Sequence, residues 1–196
     1  MTQRQLSMVE EIKENIRSVS GEHTASKVME GAEKLKASTN SVELAEWVKC
    51  AIARLDATVS KEQSEKIMAQ CGRNCAKINH KAIANFQRRR AKYDSLEDFL
   101  KAESQSPMKG TKLSLEKQTI VQAYCPSEFS HPMRCYCSLV NGLPVNETMS
   151  STYCQCSRAF VEQMWEEALG QQVSVMVLKS ALCGATECHF RVDLKK

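Results

Sequence analysis

No stretch of the 196 residues approaches the roughly 20 consecutive apolar residues needed to cross a bilayer, so the expectation is a protein without a membrane span. The opening residues, Met1-Thr2-Gln3-Arg4-Gln5-Leu6, lack the apolar core of a signal peptide, which points to the cytoplasm. There is no P-loop, no GxGxxG and no HExxH, so phosphate-cradling loops and the commonest helical zinc protease site are not indicated. Only four histidines are present, and no serine, histidine and aspartate fall into a recognisable triad. Charge of one sign is also not concentrated. The net charge of +4 is spread along the chain and gives no electrostatic footprint for nucleic acid. The one dense basic run, Arg88-Arg89-Arg90, sits among helix formers and reads as a solvated helix face. No internal repeat of fixed period is visible.

What the chain does have is cysteine: ten of them. In a reducing compartment such a count directs attention away from disulfides, toward metal ligation, redox chemistry, catalysis or simple burial. A hydrophobic content of 42% beside 26% charged residues is that of a globular protein.

Residues 1–104 read as a helical region. Leu6, Val9, Ile12 and Ile16 recur at helical spacing until Ser20-Gly21 ends the run. Val28, Met29, Ala32 and Leu35 form a second stripe. A third begins after Asn40-Ser41 and carries Leu44, Trp47, Val48, Ala51, Ile52 and Leu55. Ser60 with Gln63 has capping-box spacing ahead of a helix presenting Ile67, Met68, Cys71 and Cys75. Ile83 and Phe86 mark a fifth helix, and Ser95 with Asp98 opens a short sixth. The polar run from Glu103 to Gly110 separates this region from residues 110–196, where the pattern turns toward strands. Residues 111–115 alternate, 119–125 are β-branched and aromatic, and 133–140 alternate again before the Asn141-Gly142 turn. Ser157 is expected to open an amphipathic helix that Gly170 caps. Residues 173–182, apolar on both faces, read as a central strand. Residues 187–194 close the chain with Cys188, Phe190, Val192 and Leu194 on one face and His189, Arg191 and Asp193 on the other. Helices followed by a mostly antiparallel sheet with one long packed helix make an α+β fold.

Four cysteines form two tight pairs, Cys135-Tyr136-Cys137 and Cys154-Gln155-Cys156. On a strand, residues two apart point the same way, so each pair offers two sulfurs to one point. A zinc ion held by four thiolates at about 2.3 Å needs its sulfurs roughly 3.8 Å apart. Strand neighbours two apart begin near about 6.6 Å, so the side chains have to lean together. Cys183 and Cys188 flank a turn, Gly184 to Glu187, that brings them close to one another and lets them join the pairs or form a separate dithiol. The expected metal set is therefore Cys135, Cys137, Cys154, Cys156, Cys183 and Cys188, with zinc as the expected metal and copper(I) or an iron–sulfur group as other thiolate partners. Cys156, just ahead of a helix N-terminus whose free amides stabilise a thiolate, also suits a nucleophile or a redox-sensitive thiol. Cys125, before Pro126, ends a strand near the same sheet end, and Cys50, beside Trp47, reads as packing. Cys71 and Cys75 share a helix face and continue its apolar stripe, which reads as core filling, with a second half-site for the metal or ligand as the alternative. Gly72 between them lets another backbone or a ligand approach closely. His80 and His131 fall at expected element ends.

The run Tyr153-Cys154-Gln155-Cys156-Ser157, the helix ending Leu169-Gly170, the strand Val173-Ser174-Val175, and Ser180 followed by Gly184-x-x-x-Cys188-x-Phe190-x-Val192 resemble the 4-vinyl-reductase-like domain superfamily. They also resemble the related L-2-amino-thiazoline-4-carboxylate hydrolase-like proteins and their cysteine-rich bacterial relatives. The likeness covers residues 110–196. It implies an α/β domain that binds a small molecule or metal through C-terminal cysteines, with Cys188 at the most recognisable position. Three functions follow as expectations. The first is a thiolate-rich module binding a metal or small molecule. The second is a hydrolase of a small sulfur- or nitrogen-containing heterocycle using Cys156 or Cys188. The third is a redox or ligand sensor. The expected partner is a small molecule, with neither nucleic acid nor membrane; the residues specify no oligomeric state.

Overall fold

The computed structural model describes residues 1–116, 119–128 and 133–195. The expected histidine at an element end, His131, lies outside the described residues. Helix α1 spans Gln3–Val28, α2 Ser41–Thr58, α3 Lys61–Ile78, α4 His80–Arg90 and α5 Leu96–Gln105. Strands β1 (Thr111–Glu116) and β2 (Thr119–Tyr124) follow, then α6 (Cys154–Leu169), β3 (Val173–Lys179) and β4 (Cys188–Leu194). The fold is α+β, as the sequence pattern indicates.

Local chemistry accounts for most helix starts. Capping boxes open three helices: Thr2 with Gln5, Asn40 with Glu43, and Ser60 with Gln63. At α5, Ser95 accepts from the Asp98 amide, but the return bond joins the Ser95 hydroxyl to the Asp98 carboxylate instead of engaging the Ser95 amide. The expected break at Ser20-Gly21 is a kink within α1: Gly21 takes φ 85°, ψ 168°, a conformation that costs a side-chain-bearing residue dearly. It redirects the chain so that Ala25 and Val28 are buried in the same core as Val9, Ile12 and Ile16.

The sheet has the order β1-β2-β4-β3, antiparallel throughout. This places β4 inside and β3 at an edge, which corrects the expectation that residues 173–182 are central. The apolar residues on the outer face of β3 remain open to solvent, with Met176 51% and Leu178 47% exposed. The strand also stops at Lys179; Ala181–Cys183 form a single 3-10 turn. On β4, Phe190 and Val192 are buried as the alternation predicts.

Residues 133–140 form no strand. Cys135, Leu139 and Val140 are buried, so the apolar content serves core packing. The backbone is satisfied by turns, Val140 N–H to Cys137 O and Leu143 N–H to Val140 O, both 3.1 Å. Arg134 clamps the segment by donating to the carbonyls of Pro144 and Val145, both at 2.7 Å, and of Ala181 at 2.5 Å.

Two apolar clusters result. One joins α1, α2 and α3 to the 135–149 segment, Tyr153 and Cys154. The other joins α4, α5 and α6 to the sheet, around Phe86, Phe99 and Trp165, whose rings meet edge to face at 5.0–6.4 Å. Trp165 donates to Gln122 at 2.7 Å, satisfying a glutamine otherwise buried in the sheet. Residues 1–104 and 110–196 thus share both cores. They approach closely where α3 crosses α6: a methyl group added at Gly72 would lie 2.1 Å from the Cys156 carbonyl oxygen. The close backbone approach expected at Gly72 is therefore that of α6.

The basic run is not simply a solvated face. Arg88 is exposed, whereas Arg89 pairs with the buried Glu103 and Arg90 donates to the Tyr93 carbonyl at 2.6 Å. Cys50, expected to pack, is exposed on the solvent side of α2. No helix among the described residues is long and apolar enough to cross a membrane.

Candidate functional site: a thiol-lined cavity

A cavity of about 710 Å³ lies where the N-terminal half of α1, the C-terminal half of α3, the first turns of α6 and the adjoining strand ends come together. Met8 and Ile12 come from α1, Met68 and Ile78 from α3, Tyr124 from β2 and Phe160 from α6. Six cysteines complete the wall: Cys71, Cys75, Cys135, Cys137, Cys156 and Cys188. Polar side chains reach it as well, among them Arg4 and Glu11 of α1 and Lys109 of the polar connection. Gln5 ties α1 to the opposite wall by donating to the Ser138 carbonyl at 2.9 Å.

Each sulfur is oriented by a definable partner or element. Asn15, itself buried, donates to Cys71 Sγ at 3.2 Å, and Asn79 to Cys75 Sγ at 3.3 Å. Cys137 Sγ lies 3.1 Å from the Tyr153 hydroxyl, and the Cys137 amide is 3.5 Å from Cys135 Sγ. Cys188, opposite Tyr124 in the β2–β4 register, accepts the Ala181 amide at 3.4 Å.

All ten cysteines are free thiols, and the six in the cavity wall are held protonated. Burial pushes Cys71 up to about 12, opposed in part by the hydrogen bond from Asn15. Burial likewise raises Cys75, Cys135, Cys137 and Cys188, and raises Cys156 strongly, with the neighbouring cysteines adding to the effect. The stabilised thiolate expected of Cys156 at a helix N-terminus is not found. The 3-10 turn Ser151–Tyr153, capped by the Ser150 side chain, runs straight into α6, so the helix starts at Cys154 and Cys156 is turned inward into an apolar wall. Desolvation there outweighs the helix field.

The same early start separates the Cys154-Gln155-Cys156 pair. Residues two apart on a helix point to nearly opposite sides. Cys156 faces the cavity, while Cys154 reaches Ser180, with Sγ 2.9 Å from the hydroxyl, and the Cys183 thiol. Of the six residues expected as metal ligands, Cys135, Cys137, Cys156 and Cys188 therefore share the cavity, and Cys154 with Cys183 lies outside its wall. Among the described residues, no three histidine, cysteine, aspartate or glutamate side chains are grouped so as to hold a metal ion. Cys125 is buried behind the strand end; its thiol neighbours Glu187 and is raised first by burial and then by that carboxylate. His189 pairs with Glu187 at 3.0 Å, and no described histidine lines the cavity. Cys71 packs in the first apolar cluster, as the core-filling reading has it, and also lines the cavity, while the half-buried Cys75 is a cavity residue. Gly72 was the signal for this, because it admits α6 close enough for Cys156 to reach the same space.

Residues 3–196 match the model of a family described as a family of unknown function, DUF6144. The chain belongs to that family. No curated protein matches it. Among solved structures it is similar to an H-NOX protein from S. oneidensis in the Fe(II)NO ligation state, with TM-score 0.48, 10% identity, and 96% of this chain and 98% of that one covered. It is also similar to an H-NOX domain from Shewanella oneidensis in the Fe(II)CO ligation state, with TM-score 0.44, 12% identity, and coverage of 96% and 98%. At this degree of likeness nothing follows about what this DUF6144 chain binds.

Proposed function

We propose that this DUF6144 protein binds a small, largely apolar molecule in the thiol-lined cavity. The observation that carries the reading is the cavity itself: about 710 Å³, walled by six cysteines with raised thiol pKa values together with aliphatic and aromatic side chains. That volume falls within the range of small-molecule sites, roughly 300–1,000 Å³, which are mostly apolar with a few placed polar groups. A neutral thiol behaves as a small polarisable hydrophobe with a weak donor, so such a wall favours uncharged or aromatic ligand surface. The protonated state also favours binding over ring opening by Cys156 or Cys188, since the thiolate is the nucleophile. The resemblance of residues 110–196 to 4-vinyl-reductase-like domains supports the same reading, because Cys188 is among the cavity residues.

The test is a titration with the uncharged fluorophore Nile red, using near-ultraviolet circular dichroism to confirm a native fold. Cys75→Phe places a ring where a half-buried thiol faces the cavity and is expected to weaken binding at least tenfold, about 1.4 kcal/mol. Cys50→Phe, on the exposed face of α2, should leave binding unchanged. Equal affinity in the folded Cys75→Phe variant, or no binding by the parent protein, overturns the proposal.

A further inference from the structure

Outside the cavity wall a second group of sulfurs gathers around one hydroxyl. Ser180 accepts the Leu182 amide at 3.2 Å, which leaves its own proton free for sulfur. Its oxygen lies 2.9 Å from Cys154 Sγ, and the Cys183 and Cys188 thiols are near enough to feel the same hydroxyl. The Cys154 and Cys183 side chains are near enough to perturb one another, and Cys183 Sγ also donates to the Met149 carbonyl at 3.6 Å. Their exposures differ sharply: Cys154 is buried at 6%, and Cys183 stands exposed on the 3-10 turn Ala181–Cys183. The turn is anchored from below by the Met149 amide on the Leu182 carbonyl at 2.9 Å and by Arg134 on the Ala181 carbonyl.

We propose that Cys154 and Cys183 form a redox-active dithiol that reduces a hydroperoxide and closes to a disulfide. The exposed sulfur meets the oxidant and the buried one resolves it. The Cys183 sulfur attacks the terminal peroxide oxygen; an S–O bond forms, the O–O bond breaks, and the departing alkoxide takes a proton to leave as an alcohol. The Cys154 sulfur then gives up its proton and attacks Cys183; the S–S bond forms, the S–O bond breaks, and hydroxide leaves as water. Two thiols supply the two electrons, and one hydroperoxide becomes one alcohol and one water. The contact with Cys154, aided by Ser180 and opposed by burial, holds the Cys183 thiol below its ordinary range and raises Cys154. This supports Cys183 acting first and Cys154 keeping its proton until the contact is spent in the first step. The proposal is independent of the cavity ligand.

The full chain, fully reduced, is treated with one equivalent of hydrogen peroxide, quenched with N-ethylmaleimide, and mapped by peptide mass spectrometry without reduction. A Cys154–Cys183 disulfide is expected as the main product. Cys183 should be consumed at least tenfold faster than Cys50, which is also exposed to solvent. Cys183→Ser should abolish the disulfide. Cys154→Ser should let dimedone trap a sulfenic acid on Cys183. Oxidation of Cys183 no faster than Cys50, or a main disulfide joining Cys183 to Cys188, overturns the proposal. Both outcomes are read on the unmutated chain, so they hold even where a serine variant fails to fold.

Discussion

The substitution Gly72→Ala sets two effects of opposite sign against each other. Within a helix, alanine is favoured over glycine by about 1 kcal/mol, so sequence reasoning alone predicts a gain. In the folded protein the new methyl carbon would lie 2.1 Å from the Cys156 carbonyl oxygen, 3.0 Å from its carbonyl carbon and 2.9 Å from Ala159 Cβ. A carbon–oxygen contact settles near about 3.3 Å, so α3 and α6 must separate by about 1 Å at their crossing. The obstacle is backbone, which no rotamer change can move. Overpacking of this kind costs about 1–3 kcal/mol, and more where main chain has to shift. The expected net effect is a loss of about 2 kcal/mol, which for a chain of this length lowers Tm by roughly 4–8 °C. A reversible thermal or urea melt followed by circular dichroism measures it. An unchanged or raised Tm would refute the reasoning, because it would mean the helices do not approach as described.

Trp165→Phe keeps most of the ring packing but takes the indole donor from the side-chain oxygen of Gln122, 1% exposed, and should destabilise the fold by about 1–3 kcal/mol. Restoring most of that loss with Gln122→Leu in the same background would confirm that the lost indole bond is the cause; no recovery would refute it. The cavity thiols predict a dependence on pH. Cys71 in the folded state is raised from 9.0 to about 12, so its stabilising contribution is complete below pH 9, where both states carry the proton. Above that pH the unfolded chain loses the proton first. Stability should then fall by about 1.4 kcal/mol per pH unit for this thiol alone, until pH 12. Urea midpoints at pH 8, 9 and 10 measure the slope, and Cys71→Ala should flatten it; a slope the variant leaves unchanged would assign the effect elsewhere.

Much of the helical architecture is legible because capping is a local signal. Asn40 with Glu43 and Ser60 with Gln63 specify where a helix begins whatever packs against it. Strands β1, β2 and β4 are equally legible from alternation. The failures lie where one pattern serves two purposes. Residues 133–140 alternate, yet Cys135, Leu139 and Val140 reach the core from a chain of turns. Residues 173–182 are apolar on both faces, yet Met176 and Leu178 stand open at a sheet edge. Ser157 has the chemistry of a helix cap, but Ser150 is the residue that caps the turn leading into α6, so the helix begins three residues earlier than the pattern suggested. That shift decides the site. It turns Cys154 away from the cavity and leaves Cys156 beside Cys71 and Cys75, a pairing across more than eighty positions that periodicity cannot reveal.

The early start of α6 has a further consequence for how the sulfurs of this molecule are divided. One turn of helix separates the two groups of sulfur, with Cys156 turned toward the cavity and Cys154 toward Ser180 and the exposed Cys183. A single residue, Gln155, lies between them along the chain.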